Sequence, residues 1–172
     1  MEALENIMTR TSLRKFDTER PVTQNDLDAI LRAGMSAPSA VNRQPWHFVV
    51  VSNREKLDAL AAGLPYCQAA KTAPVAIVVC GAKERFLGGV DDELWVQDVS
   101  AASENVLLAI NALGLGGVWT SVYPHADRIA VVRNVLDLPD NLVPFNVIPL
   151  GYPTSRHAPL KKWHPERVTY IR

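Results

Sequence analysis

Two short stretches carry residue types that could do chemistry. Arg10-Thr-Ser-Leu-Arg14 is spaced to put two guanidiniums on one side of a turn, with the Thr11 and Ser12 hydroxyls between them. Arginine offers paired donors that match phosphate oxygens, and the hydroxyls add further donors. A surface R-x-x-x-R is more often a solvated face, so spacing alone leaves both readings open. The second stretch, Ala37 to Ser52, opens with two prolines bracketing small and amide side chains and passes into a β-branched run. It presents Ser39, Asn42 and Gln44 in a loop that becomes a strand, a good place to hold a flat polar ligand.

Other chemistries lack their signatures. There is no G-x-S-x-G elbow, and neither cysteine has a nearby histidine in sequence. His47, His125, His157 and His164 have no partner at helical spacing, so no metal site is expected. Gly114-Leu-Gly-Gly117 fails as a dinucleotide fingerprint, because Trp119 takes the third glycine position and the segment follows a helix. Formal net charge is zero with no long run of one sign, which argues against a nucleic-acid or membrane-surface binder. A small local anion site is compatible with that balance.

The elements that must position these residues can be read along the chain. At 172 residues and 48% apolar composition, one domain spanning 1–172 with a real core is expected. Glu2 to Met8 reads as a short helix. Thr23-Gln-Asn-Asp26 is a capping-box variant starting a second helix, with Leu27, Ile30, Leu31 and Gly34 on one face and Ala37-Pro38 as its stop. Trp46 to Ser52 predicts a strand, and Ser52-Asn-Arg-Glu55 a second capping box leading a helix to Gly63. Leu64 to Ala73 is poorly patterned, with a helical turn around Tyr66 to Thr72. Val75 to Cys80 is an unbroken apolar run expected of a central strand covered on both faces.

After a loop at Lys83 to Gly89, Asp91 or Asp92 is expected to cap the longest helix, which continues to about Leu113. Its only charge between Asp98 and Gly114 is Glu104, so it must be buried, either in the core or in a subunit interface. Val118 to Tyr123 predicts a strand, Pro124 to Asp127 the start of a helix, and Val143 to Leu150 a further strand. Thr154 to Glu166 is a polar, proline-rich arm, and Arg167 to Arg172 alternates as a strand would. The pattern is an α+β domain, helices around four or five strands. Cys67 and Cys80 sit in apolar surroundings, as free thiols in a reducing compartment do, and no signal-peptide core or membrane-length apolar run is present. A cytoplasmic protein is expected.

Arg10 to Phe16 followed by Ala37 to Phe48, then Asn105 to Trp119 and Leu150-Gly-Tyr-Pro153, resemble the nitroreductase family of flavoenzymes, most of all its short bacterial-type members. The resemblance covers nearly the whole chain in order. It implies a mostly antiparallel central sheet, and FMN bound at the interface of a homodimer that exchanges its C-terminal strand. By that resemblance Arg10, Ser12 and Arg14 hold the FMN phosphate, with Thr11 contributing backbone. Pro38, Ser39 and Asn42 come from the other subunit to the ring system, and Gln44 approaches the ribityl or ring edge. Trp119, Thr120, Ser121 and Val122 lie along the isoalloxazine, with a backbone N–H near Ser121 or Val122 facing N5. Larger members often have an acidic residue and glycine where Ser121 and Val122 stand. Lys162 is the first choice for a C-terminal phosphate cation, Lys161 the second and Arg167 the third.

The implied activity is reduction of nitroaromatics, quinones or a similar small acceptor by NADH or NADPH, through ping-pong hydride transfer at flavin N5. No catalytic acid or base is named. Leu64 to Tyr66 and Phe86 to Gly89 are candidate substrate walls. The alternatives are a specialised enal, semialdehyde or dehalogenating reductase, or a flavin-binding protein without turnover.

Overall fold

The computed structural model describes residues 2–89 and 92–172. In chain order the elements are α1 (Ala3–Thr9), α2 (Gln24–Met35), β1 (Trp46–Val51), α3 (Arg54–Gly63), β2 (Val75–Ala82), α4 (Leu94–Ala112), β3 (Gly116–Gly117), β4 (Thr120–Ser121), α5 (Ala126–Leu136) and β5 (Leu142–Gly151). The expected α+β class is what forms. The sheet runs β1-β2-β5-β3, with β4 also on β5, and every strand pair is antiparallel.

The β2 run is buried at every position, as its unbroken apolar sequence predicts. Its alternate side chains feed two cores. Val75, Ile77 and Val79 join Ile30, Val99, Val106 and Ile110 on the α2–α4 side. Ala76, Val78 and Cys80 join Leu57, Leu60 and Val132 on the α3–α5 side. Each fully buried Val, Leu or Ile contributes about 1.5–3 kcal/mol, so this double covering dominates the stability. Among the described residues no helix is long and apolar enough to cross a membrane.

The Thr23 capping box forms as expected: Thr23 Oγ1 accepts the Asp26 N–H at 3.1 Å and Asp26 Oδ2 accepts the Thr23 N–H at 3.4 Å. Three expectations need correction, and the terminal strand has no edge of its own chain to join. The α3 cap is Asn53, whose Oδ1 accepts the Lys56 N–H at 3.0 Å, so Ser52 forms no box. The α4 cap position falls on Glu93 without a side-chain bond, so Asp92 does not cap, and Asp91 lies outside the described residues. The expected strand from Val118 to Tyr123 is broken into β3 and β4. Gly117 faces Leu150 and Thr120 faces Val147 in one continuous register, so Val118 lies opposite Pro149, which has no N–H to donate. Finally, residues 168–172 form no strand within the chain. With no partner edge beside them they have nothing to pair with.

The segment before α2 is placed by β3. Ser12 bridges Gly117 in parallel, and the Leu13 N–H donates to Gly117 O at 3.1 Å. The neighbouring Gly116 makes this approach possible, since a Cβ there would lie 2.9 Å from the Leu13 side chain. Leu13 and Phe16 are buried, and the bridge from Phe16 to Pro153 fixes the far end. Arg10 to Arg14 is thereby laid alongside the sheet edge that leads to Trp119.

Candidate functional site

Arg10, Thr11, Ser12, Arg14 and Lys162 line one cavity of about 350 Å³, together with His157, Ala158 and Leu160. Arg10 is oriented from behind by Glu104 of α4, with Nε 3.4 Å from Oε1. Arg14 Nη1 donates to Ser12 O at 3.4 Å, which turns its guanidinium back along the segment. Among the described residues no carboxylate lines this cavity. Two arginines, a lysine and two hydroxyls converging, with Glu104 pairing Arg10 alone, make a site for a compact anion such as a phosphate.

Arg14 also lines a second cavity of about 620 Å³, with Lys15, Tyr66, Gln68, Ala69, Lys71, Thr72, Val118 and Trp119. Among the described residues no carboxylate lines this one either. The Trp119 indole is held by its Nε1–H donating to Ser121 Oγ at 3.1 Å, and its ring meets Phe145 edge-on at 5.6 Å between centroids. One guanidinium therefore joins an anion corner to a wider chamber with aromatic walls.

The other expected site residues are distributed differently. Thr120 is buried against Cys67, which hydrogen-bonds to its side chain. Ser121 is exposed. Val122 cannot offer the expected backbone donor, because its N–H donates to Phe145 O at 3.0 Å and its side chain is wholly buried. Lys161 and Arg167 line neither cavity, and Phe86 stacks on Trp95 at 4.8 Å instead of walling either one.

Pro38, Ser39, Asn42 and Gln44 also line neither cavity within their own chain. They form a separate loop with a 3₁₀ turn at Ala40–Asn42. Ser39 Oγ accepts the Gln44 N–H at 2.9 Å, and Asn42 Oδ1 accepts from Gln44 Nε2 at 2.8 Å. Val41, Asn42 and Gln44 hold φ of 50°, 54° and 50°. Left-handed backbone at non-glycine residues costs about 1–3 kcal/mol each and collects at functional sites.

Lys15, Lys71, Gln68 and His157 are cavity residues that sequence reasoning missed. Lys71 and Gln68 sit in a 3₁₀ turn, Gln68–Lys71, of the unpatterned connection. His157 belongs to the arm, whose path no periodicity fixes. Its signal is nearness in sequence to Lys161 and Lys162.

Comparison with known proteins bears on what these cavities are for. The family model described as "Nitroreductase family" matches residues 7–65 and 61–152. The chain belongs to the nitroreductase family. A relative from Methanothermobacter thermautotrophicus, provisionally named an NADH dehydrogenase/NAD(P)H nitroreductase, is 46% identical over 170 residues, covering 98% of this chain and 86% of its own. A crystal structure from Bacteroides thetaiotaomicron with the same provisional name is 45% identical with a TM-score of 0.91, covering 98% of this chain and 96% of its own. A nitroreductase, again provisionally named, from Desulfovibrio desulfuricans was solved in complex with FMN. It is 29% identical with a TM-score of 0.81, covering 98% of this nitroreductase-family chain and 96% of its own.

Proposed function

We propose that this protein is an FMN-dependent NAD(P)H oxidoreductase acting on a small acceptor such as a nitroaromatic or quinone, and that it works as a homodimer. The observation that carries the reading is the pair of cavities joined at Arg14, one lined by cations and hydroxyls and the other walled by Trp119 and Tyr66. The donor set of the smaller cavity fits a phosphate dianion, and the aromatic walls of the larger one fit a flat ring. Relatives named for NAD(P)H, and a neighbour solved with FMN, point the same way.

Bound there, FMN supplies two-electron transfer between a nicotinamide and an acceptor. The chain's own part is to bind and orient. Arg10, Ser12, Arg14 and Lys162 hold the phosphate, with Glu104 keeping the Arg10 guanidinium aimed. Trp119, fixed by Ser121 Oγ, and Val118 keep one side of the chamber apolar and limit water. Lys15 and Lys71 raise its positive potential, which favours electron-rich, anionic ligands.

The loop carrying Pro38, Ser39, Asn42 and Gln44 serves the flavin held by a second copy, since it reaches neither cavity of its own chain. Helix α1 supports the dimer: tied to α4 through Asn6, whose Nδ2 donates to Leu108 O at 3.0 Å, it has no buried residue and leaves Leu4, Ile7 and Met8 exposed. The whole chain, 1–172, acts as one unit whose arm, 154–172, passes its own phosphate cavity through Lys162 and then gives its terminal strand to the partner. Two buried free thiols suit a reducing, cytoplasmic setting.

The test is anaerobic titration of the FMN-loaded protein with NADH and with NADPH, followed by a nitroaromatic or a quinone. Bleaching of the flavin band and its return on adding acceptor is the expected result. Failure to take up FMN overturns the reading, and uptake without bleaching reduces it to flavin binding alone.

A further inference from the structure

The loop after Ala37 adopts a shape its own sequence does not favour. Of the three left-handed residues Val41, Asn42 and Gln44, Val41 is β-branched and is the residue type least suited to such a backbone. Strained conformations persist only where the surroundings over-determine them. Packing does not do so here, because the side chains of all three are exposed. Polar contacts at the two ends of the loop do.

At its start, the Ala40 N–H donates to Asp98 Oδ1 of α4 at 2.9 Å. Asp98 is only 7% exposed, on a helix whose buried face is otherwise apolar or amide and hydroxyl in character. An ionisable group in that position is costly unless a contact compensates it, and the bond to Ala40 is such a contact. At the end of the loop, Arg43 Nε and Nη2 donate to the carbonyls of Arg85 and Phe86 at 3.0 and 3.3 Å. Arg85 Nη1 returns a bond to Arg43 O at 3.3 Å. This reciprocal clamp ties the loop to the 3₁₀ turn Lys83–Arg85 that follows β2.

We propose that Asp98 and Arg43 are positioning residues that fix the 39–44 loop in its left-handed shape from opposite ends and so present Asn42 and Gln44 to a flavin held by a second copy. The flavin part rests on the function proposed above. Neither side chain touches the ligand in this scheme. Each acts through the backbone of the loop.

The experiment compares the full-length wild type with Asp98→Ala, Asp98→Asn and Arg43→Ala in two readouts. One is deuterium exchange of the peptide covering residues 39–45, and the other is the FMN dissociation constant. Both alanine variants are expected to speed loop exchange about tenfold while β2 peptides stay protected, and to weaken FMN about tenfold. Asp98→Asn keeps an acceptor oxygen for the Ala40 N–H and is expected to stay within about threefold of wild type in both readouts. A general loosening of α4 would not explain an equal effect of Arg43→Ala, which lies off that helix. If Asp98→Ala does not fold, the other two variants carry the comparison. Unchanged loop exchange in Arg43→Ala, or in Asp98→Ala where it folds, overturns the proposal, as does a loosened loop with unchanged FMN affinity. Absence of FMN binding by the wild type overturns the functional reading, and loop exchange then still decides whether these side chains hold the loop.

Discussion

Among single side chains Arg14 has the widest reach, because it lines both cavities. Arg14→Ala should raise the FMN dissociation constant at least about tenfold, the scale of one lost charge-assisted hydrogen bond, read by fluorescence titration. The cysteines make a prediction of a different kind. Burial pushes the Cys67 thiol up to about 11, against a partial lowering by its bond to Thr120, and pushes Cys80 up to about 12. The unfolded thiols titrate near the ordinary value of 9.0. Their contribution to stability is therefore complete below about pH 9 and is lost as pH rises through about 11 to 12. Denaturant midpoints should fall between pH 8 and pH 10.5, and a thiol reagent at pH 8 should label both cysteines only after unfolding. Arg10, Thr11, Ser12 and Arg14 were legible as a candidate anion site from residue type and spacing, with a solvated face left open; the family resemblance favoured the phosphate reading and alone added Lys162. Lys71 and His157 were not legible, because irregular backbone brings them in and no periodicity encodes irregular backbone.

At the scale of elements, one close approach is where α2 crosses α4. A Cβ at Gly34 would sit 2.9 Å from Val106 Cγ2 and 3.0 Å from Phe48 Cζ. Gly34→Ala gains about 1 kcal/mol of helix propensity, but overpacking of this kind costs about 1–3 kcal/mol. The variant should unfold at lower denaturant than wild type in a circular-dichroism titration. The sequence pattern made β2, α2 and α4 readable because an unbroken apolar run and a capped periodic face each have one structural meaning. The strand between Val118 and Tyr123 was misjudged for a non-local reason. Its own residues favour a strand, but its partner β5 carries Pro144 and Pro149. Pro149 interrupts the ladder opposite Val118, and a bulge that leaves Phe145 of β5 unpaired between the partners of Val79 and Cys80 lets it turn its carbonyl to the N–H groups of Val122 and Tyr123. Such a break can be seen only once the two strands are paired.

For the molecule as a whole, much of the exposed apolar surface lies at its two ends. Leu4, Ile7 and Met8 of α1 are 68%, 56% and 67% exposed, and Trp163, Tyr170 and Ile171 of the tail are 74%, 72% and 96% exposed. Covering both by a second copy predicts sedimentation at about twice the 18.9 kDa chain mass, and a chain ended at Trp163 should shift toward monomer. The alternation of Arg167 to Arg172 was legible as a strand pattern, but a strand needs a neighbouring edge, which one chain does not provide there. Where the body of the protein ends is set by Arg156. Its Nη2 donates to the carbonyls of Gly114 and Leu115 at 2.7 and 3.2 Å, at the end of α4, whose last turn has no basic residue of its own. Beyond it, the hydrogen bonds of the described residues stay within the arm. Trypsin should therefore cut after Lys161 and Lys162 long before it cuts after Arg156, trimming the chain to a stable body of slightly lower mass. If a second copy shields the arm, the rate of that first cut rises on dilution and becomes a direct gauge of how much protein is unpaired.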